Sequence, residues 1–587
     1  MDTISGRKSL IRAALGHEPL DLLIENVRVI NVYTGTIEPG ALGIKAERIV
    51  TTNASGLETC QTVDGAGRFA VPGFIDSHIH IDSTLLTPAN LAELVVPMGT
   101  TTLLADPMEI SNVAGIKGLE ALVKLTKGVP FHIFLEVPSR VPTAPGLETT
   151  GGELGLEEVQ HILTWPNAIS LGELDPSKVL SLSDEHLAKV QTAYQLGKIA
   201  NGHAAGLEGK ELTAYACGGL LDDHECVDYP GAVARLRQGM AVLVREGSTE
   251  RNLDMILRGA FGSKMDTRHL MFCTDDKHPN DIVNEGHINY MVRKAIALGY
   301  SPMEAIQMAS LNAAIHFRVE NMLGSLTPGR WADVLLIDDL SRMQPSDVFV
   351  QGQWVAHQGK LVATLPHSAY PKWLMDTVHI IRGMRADDFD FHTKGKKVRV
   401  RVINIIPDQI ISRADEAILQ VVNDTVVSDL TSDVLKLAVV ERYGKNGNIG
   451  LAYVRGFGLQ RGALASSVSH DHHNIVIVGT NNLDMALCVN TIEATHGGLV
   501  VAAEGKVLGV LPLPIGGLMS DLPTNEVTSI LKEITAFAWS LGCKLPAPFM
   551  TLSFISLPTV PELGLTDRGL VDVCKHSLIE TIIESLL

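Results

Sequence analysis

The sequence predicts a (β/α)8 TIM-like barrel carrying a small β-sandwich domain drawn from both of its flanks and a separate α/β domain at the C-terminus. Three observations predict it. Strand-like and helical segments alternate over residues 69–320, two blocks of short strands flank that stretch, and a second α/β segment follows. At 587 residues the chain is too long for one hydrophobic core, and at ~100–200 residues per domain about three are expected.

The barrel strands read as Phe74–Ile79, Thr101–Ala105, Phe131–Val137, Ala168–Gly172, Lys198–Gly202, Gly219–Asp223, Ala241–Arg245 and His269–Cys273. Helical patterns such as LEALVKLTKG and DEHLAKVQTAYQLG separate them. Eight βα units in about 250 residues are what a TIM barrel needs. Residues 1–68 hold an N-terminal helix and the strands LLIENVRVINVYTG and GALGIKAERIVTT; residues 321–365 hold GSLTPGRWADVLLIDDL and DVFVQGQWVAHQGKLV. Neither flank suffices for its own core, so the two are expected to pack together. Residues 366–394 read as a linker with a helix. Residues 395–587 contain the strands KVRVRVINII and NIVIVGTN and an amphipathic helix, EVTSILKEITAFAWSLG.

Hydrophobic residues make up 45 % and charged residues 19 %, the balance of a folded chain rather than a disordered one. A net charge of −18 argues against a nucleic-acid partner, whose binder would carry a basic footprint. Seven scattered cysteines without C-x-x-C form no disulfide framework and predict a reducing, cytoplasmic setting. Arg7, Lys8 and Arg12 interrupt the apolar residues of Met1–Gly16, so no signal peptide is expected. No apolar run reaches the ~18 residues of a membrane span.

The chemistry sits at strand ends. His78 and His80, in PGFIDSHIHIDS, lie two apart on a strand and share a face. Alone, such a pair is weak, since two polar strand-end histidines look the same. Glu173 closes AISLGE, His203 closes KIANGH, His224 closes GLLDDH, and Asp275 follows HLMFCT. Each has a bland reading, a solvated carboxylate, a packed imidazole or a helix cap. Together they occupy the catalytic face of a barrel. Four imidazoles and two carboxylates suit two divalent cations, with Glu173 as a bridge, and ligands without thiolate suit Mn, Fe or Zn.

Longer strings carry a resemblance. PGFIDSHIHIDSTLLTP, TTLLADPMEISNVAG, GHAAGLEGKELTAY, VREGSTERNL, CTDDKHPNDIVNEGHI, SSVSHDHHNIVIVGTNN and LPLPIGGLMSDLP together resemble the adenine deaminase family of the amidohydrolase superfamily, over nearly the whole chain. The resemblance implies a C-terminal domain of that family's type, and two metals bound by His78, His80, Glu173, His203, His224 and Asp275. It also implies purine salvage chemistry, the hydrolysis of adenine to hypoxanthine and ammonia. Asp275 and Glu173 are the expected catalytic residues, Asp275 passing the proton of the attacking water to the leaving amine. Asp106, Glu109, Glu225, Ser248 and Asp276 are the expected substrate-binding residues; otherwise each only caps or turns a loop. The expected partner is a small purine, with no nucleic acid or membrane, and the expected assembly is a homo-oligomer, a dimer or higher.

Three departures from the family pattern stand out. Met108 replaces a usual His, Leu174–Val179 replaces a usual Met-rich stretch, and His472 replaces a usual Ser. The first two border the expected pocket and support an alternative, a paralogue acting on another purine or cyclic amidine or amide. A third reading is a metal-binding protein without turnover. The cluster His470–Asn474 reads either as a structural turn or as a lid over the barrel mouth. A nucleic-acid-editing zinc deaminase would need H-x-E and P-C-x-x-C, which are absent.

Overall fold

Strands buried on both faces read as unbroken apolar runs, and the strands Phe74–Ile79, Thr100–Ala105 and Ala241–Arg245 are buried at every residue. The computed structural model describes residues 3–366, 369–406, 412–559 and 562–586. The first five barrel strands, Phe74–Ile79, Thr100–Ala105, His132–Val137, Ala168–Leu174 and Ile199–Gly202, pair in chain order as a parallel sheet. Asp222–Asp223, Ala241–Arg245 and Leu270–Cys273 pair in parallel as a second one.

Backbone hydrogen bonds cross both seams. Leu221 N–H donates to the Ala200 carbonyl at 3.0 Å, and Asp275 N–H donates to the His78 carbonyl at 3.0 Å. The parallel sheet therefore curls round from its last strand to its first. Helices between the strands, such as Pro88–Val95 and Asp184–Gln195, bury one stripe each. The strand expected at Gly219–Asp223 shortens to Asp222–Asp223 because Gly219 sits at φ 94°, outside the extended range.

Strands from the two flanks share one nine-stranded sheet. Val334–Ile337 pairs antiparallel with Phe69–Pro72, which in turn runs parallel to Leu22–Asn31. Leu22, Ile24, Leu42 and Ile44 from one flank bury against Val334, Leu336 and Phe349 from the other.

The C-terminal part forms a ten-stranded sheet, antiparallel except where Lys397–Ile405 meets Ile449–Arg455 in parallel. The helix Thr524–Ser540 buries Val527, Leu531, Ile534 and Ala538, one face at helical spacing. Residues 366–394 differ from the expected linker with a helix. Their only helical element among the described residues is the 3₁₀ turn Ala386–Phe389, and Leu374, Val378, Met384 and Phe389 are buried, so the segment is a packed strap. Pro366 and Pro371 each lack a backbone donor, which disfavours a helix there. Among the described residues no helix is long and apolar enough to cross a membrane.

Candidate active site

Five strand ends converge on one mouth. His78 lies within Phe74–Ile79 and His80 just beyond it; Glu173 lies in Ala168–Leu174. His203 follows Ile199–Gly202, His224 follows Asp222–Asp223, and Asp275 lies two residues past Leu270–Cys273. All six are buried. Glu173 Oε2 lies 3.1 Å from His224 Nε2, 3.8 Å from His78 Nε2 and 3.9 Å from His203 Nε2. Asp275 Oδ1 lies 3.5 Å from His78 Nε2 and 3.4 Å from His80 Nε2. Asp275 has φ 58°, a left-handed conformation that surrounding structure must enforce on a residue with a Cβ. Its backbone is pinned on both sides, since its carbonyl also accepts the His80 N–H at 3.2 Å.

The two leading imidazoles are aimed by their far nitrogens. His78 Nδ1 donates to Glu136 Oε2 at 2.5 Å, and His80 Nδ1 donates to the Asp106 carbonyl at 2.9 Å. Both keep Nε2 for the mouth, and His78 Nε2 is buried with no hydrogen-bond partner. Ligand histidines are oriented in this way by a carboxylate or carbonyl behind them. Burial resists charging of His80, yet the Asp276 and Glu109 carboxylates lift its pKa to about 10. Burial likewise resists charging of His78, and Glu136 and Asp275 still hold it well above the usual imidazole range. A pocket that pulls protons onto buried imidazoles lacks positive charge, and the donor set fits divalent cations that would supply it.

Two buried arginines brace the carboxylates. Arg245 donates to Glu225 Oε1 at 2.5 Å, Glu225 Oε2 at 3.2 Å and Asp275 Oδ2 at 2.7 Å. Burial pushes the Asp275 carboxyl up, but the neighbouring His78 imidazole and the Arg245 guanidinium leave it well below the usual range. Arg140 donates to Glu173 Oε1 at 2.5 Å and to Asp471 Oδ2 at 3.2 Å.

The mouth is closed from above by the C-terminal part. His470, Asp471, Phe554 and Leu557 line a small cavity together with His80, Met108, Glu173, His203, His224, Asp275 and Asp276. Of the expected substrate-binding residues, Glu225 and Asp276 reach this cavity, and Asp276 Oδ1 is buried without a partner. Glu109 also reaches it, but its two carboxylate oxygens are taken by His470 and His473. Asp106 lies behind the wall, where its Oδ2 accepts the Glu173 N–H at 3.3 Å. Gly172 makes room for it, as a Cβ there would come 2.2 Å from Asp106 Oδ2. Ser248 does not reach the cavity; its hydroxyl donates to Asp281 and accepts the His278 N–H at 2.9 Å. The changed loop after Glu173 stays outside as well, folded into the helical turn Pro176–Leu180 that Asp175 caps.

Glu136, Arg140 and Arg245 escaped the sequence reading. Glu136 and Arg245 each carried a signal, a lone charge inside an apolar strand run, HIFLEV and AVLVR. Arg140 lies in a loop and carried none.

The barrel and its strand-end imidazoles and carboxylates define a metal-dependent hydrolase of the amidohydrolase class. The family model described as Amidohydrolase family matches residues 69–245 and 240–355, and the one described as Adenine deaminase C-terminal domain matches residues 409–577. The chain is 55 % identical to an adenine deaminase of Desulforamulus reducens over 98 % of both chains. It is 38 % identical to that of Kosmotoga olearia and 39 % to that of Moorella thermoacetica, again over 98 % of each chain. The chain belongs to the adenine deaminase family.

Proposed function

We propose that this protein hydrolyses adenine to hypoxanthine and ammonia. The observation that carries the reading is the buried cluster of four imidazoles and two carboxylates beside a small cavity, in a chain similar along its whole length to adenine deaminases. His78, His80, Glu173, His203, His224 and Asp275 would hold the divalent ions. Divalent ions so placed lower the pKa of water and supply a nucleophile near pH 7.

The residues of the chain do the rest. The Glu136 carboxylate and the Asp106 carbonyl orient the imidazoles. Asp275 takes a proton from the attacking water as the C6–O bond forms and then gives it to the amine, whereupon the C6–N bond breaks and nitrogen leaves as ammonia. Arg245 keeps Asp275 ionised until then and holds it in place. The cap formed by His470, Phe554 and Leu557 excludes bulk water.

Protein reconstituted separately with Mn, Fe or Zn and mixed with adenine should release hypoxanthine and ammonia in equal amounts. Two bound ions without adenine turnover, but with turnover of another cyclic amidine or amide, would replace this reading with the paralogue. Met108 on the cavity wall is the observation that keeps that second reading in play.

A further inference from the structure

Hydrogen bonds fix the tautomer of a histidine that faces the cavity from the C-terminal side. Ser469 N–H donates to His473 Nδ1 at 3.2 Å, so the proton of neutral His473 is on Nε2. That Nε2–H donates to Glu109 Oε2. The other Glu109 oxygen, Oε1, accepts from His470 Nδ1 at 3.1 Å. In its neutral form His470 then keeps a lone pair on Nε2, the form that divalent ions on the barrel side would favour against the pull of the Glu109 and Asp276 carboxylates on its proton. This Nε2 is buried, has no hydrogen-bond partner and borders the cavity. Backbone and ring contacts hold it there. His470 N–H donates to the Ser553 carbonyl at 3.0 Å, Ser556 Oγ–H donates to the His470 carbonyl at 3.2 Å, and the ring stacks on Phe554 at 4.8 Å between centroids.

A second unpartnered acceptor stands beside it. Asp276 Oδ1 is buried, has no hydrogen-bond partner, and lies 3.9 Å from His470 Nε2. Two neighbouring buried acceptors beside one cavity leave an unmet demand for N–H donors. One amino group has two N–H bonds and can meet both. Asp276 directly follows Asp275, so the substituent on the carbon that Asp275 serves falls within its reach.

We infer that His470 Nε2 and Asp276 Oδ1 form the subsite for the exocyclic amino group of the substrate, with Glu109 and His473 as positioning residues that keep His470 an acceptor. The inference rests on the proposed adenine hydrolysis and adds to it the group that recognises the amine. The recognition is shared between the barrel and a loop that lies about 200 residues further along the chain.

The test compares adenine with 6-chloropurine, which offers no N–H at that position, on Mn-loaded full-length enzyme of measured metal content. 6-Chloropurine is read as kcat/KM if it is turned over and as 1/Ki if it only competes. Asn matches His at Nδ1 and Gln matches it at Nε2. His470→Asn therefore keeps the Glu109 contact and loses the cavity acceptor, and should lower the adenine-to-6-chloropurine ratio by roughly 10–100-fold, the worth of a buried hydrogen bond left unmade. His470→Gln, which keeps an acceptor in place, should restore most of that ratio. Asp276→Leu, of similar size and without an acceptor, provides an independent arm and should lower the same ratio, whether or not the His470 variants fold. A ratio unchanged in these variants with metals retained, because both substrates fall together or neither falls, overturns the subsite. Wild type that ignores adenine overturns the proposed function instead.

Discussion

The two walls of the cavity are built in opposite ways. On the barrel side the donors stand at the ends of five strands, each pinned by neighbours in a parallel sheet, and every position follows from the same rule of strand, turn and helix. On the C-terminal side the contribution comes from the connection between Ala463–Ser466 and Ile475–Gly479 and from the end of the helix Pro548–Phe554. There a single turn, Ser469–Asn474, turns His470 and Asp471 toward the barrel and braces His473 behind them. The barrel side supplies charge for binding cations. The C-terminal side supplies closure and, in His470, one of the two acceptors, the other being Asp276 on the barrel. The difference teaches that one wall carries the chemistry of the superfamily, while the other closes over it and shares with Asp276 the choice of the molecule admitted.

The sharpest way to break this division is to remove the barrel donors. His78→Ala/His80→Ala should abolish turnover and bring metal content from about two ions per chain to one or fewer. Elemental analysis reads the content, and undiminished loading would show that the strand-end imidazoles are not the ligands. Next in size is Asp275→Asn. It removes the proton carrier and should lower kcat by about 10²–10⁴-fold. Metal content must be measured in the same sample, since Asn still offers an oxygen. A variant that keeps its metals and its rate would move the proton to another group, with Glu225 first in line beside Arg245.

How far each wall was legible in the sequence follows from the same contrast. His78, His80, Glu173, His203, His224 and Asp275 could be found because strand ends can be read from hydrophobic runs, and the barrel converts strand ends into neighbours. Glu136 and Arg245 were hidden because the strands around them read as core. A charge inside such a run is informative only once its partner is known, and the partners lie 58 and 30 residues away, as His78 and Asp275. The partners of Glu109 and Ser248 were not legible for a related reason. Loop proximity to the mouth could be inferred, but not that His470 and His473 take both oxygens of one or that Asp281 takes the hydroxyl of the other. The cluster His470–Asn474 was visible as a cluster, and only the contact with Glu109, 361 residues away, gave it a direction. The strap at 366–394 was read as a linker because its buried residues, Leu374, Val378 and Met384, follow neither a helical nor a strand period.

A third prediction targets the residue that ties the walls together. Arg140 reaches Glu173 on the barrel and Asp471 on the cap, and it is buried between them. Arg140→Met keeps the bulk and removes the charge. Two buried carboxylates then lose their counterion, which costs about 3–5 kcal/mol when one partner of a buried pair is deleted. The urea midpoint should fall accordingly, and adenine KM should rise as the cap loosens over Glu173. An unchanged midpoint would mean that solvent already reaches the pair and that the cap is not seated by Arg140.

The smallest expected effect sharpens the comparison from its apolar side. Met108 opens the helix Met108–Leu125 on the barrel, while Phe554 and Leu557 come from the C-terminal part, and the three line the same cavity. A flat heteroaromatic ring needs such apolar contact as well as acceptors at its edge. Met and Leu have similar volumes, and a volume-conserving apolar swap costs less than about 1.5 kcal/mol. Met108→Leu should therefore change kcat/KM for adenine by no more than about tenfold, mostly through KM. Met108→His is the companion, since it restores the residue usual in the family and places an imidazole beside Glu109 and Arg140 at the wall. If Leu is tolerated and His raises adenine turnover, the barrel wall takes part in choosing the substrate through residue 108 as well as through Asp276. If Leu is tolerated and His lowers turnover, the thioether serves as plain apolar surface and selection stays with His470 and Asp276.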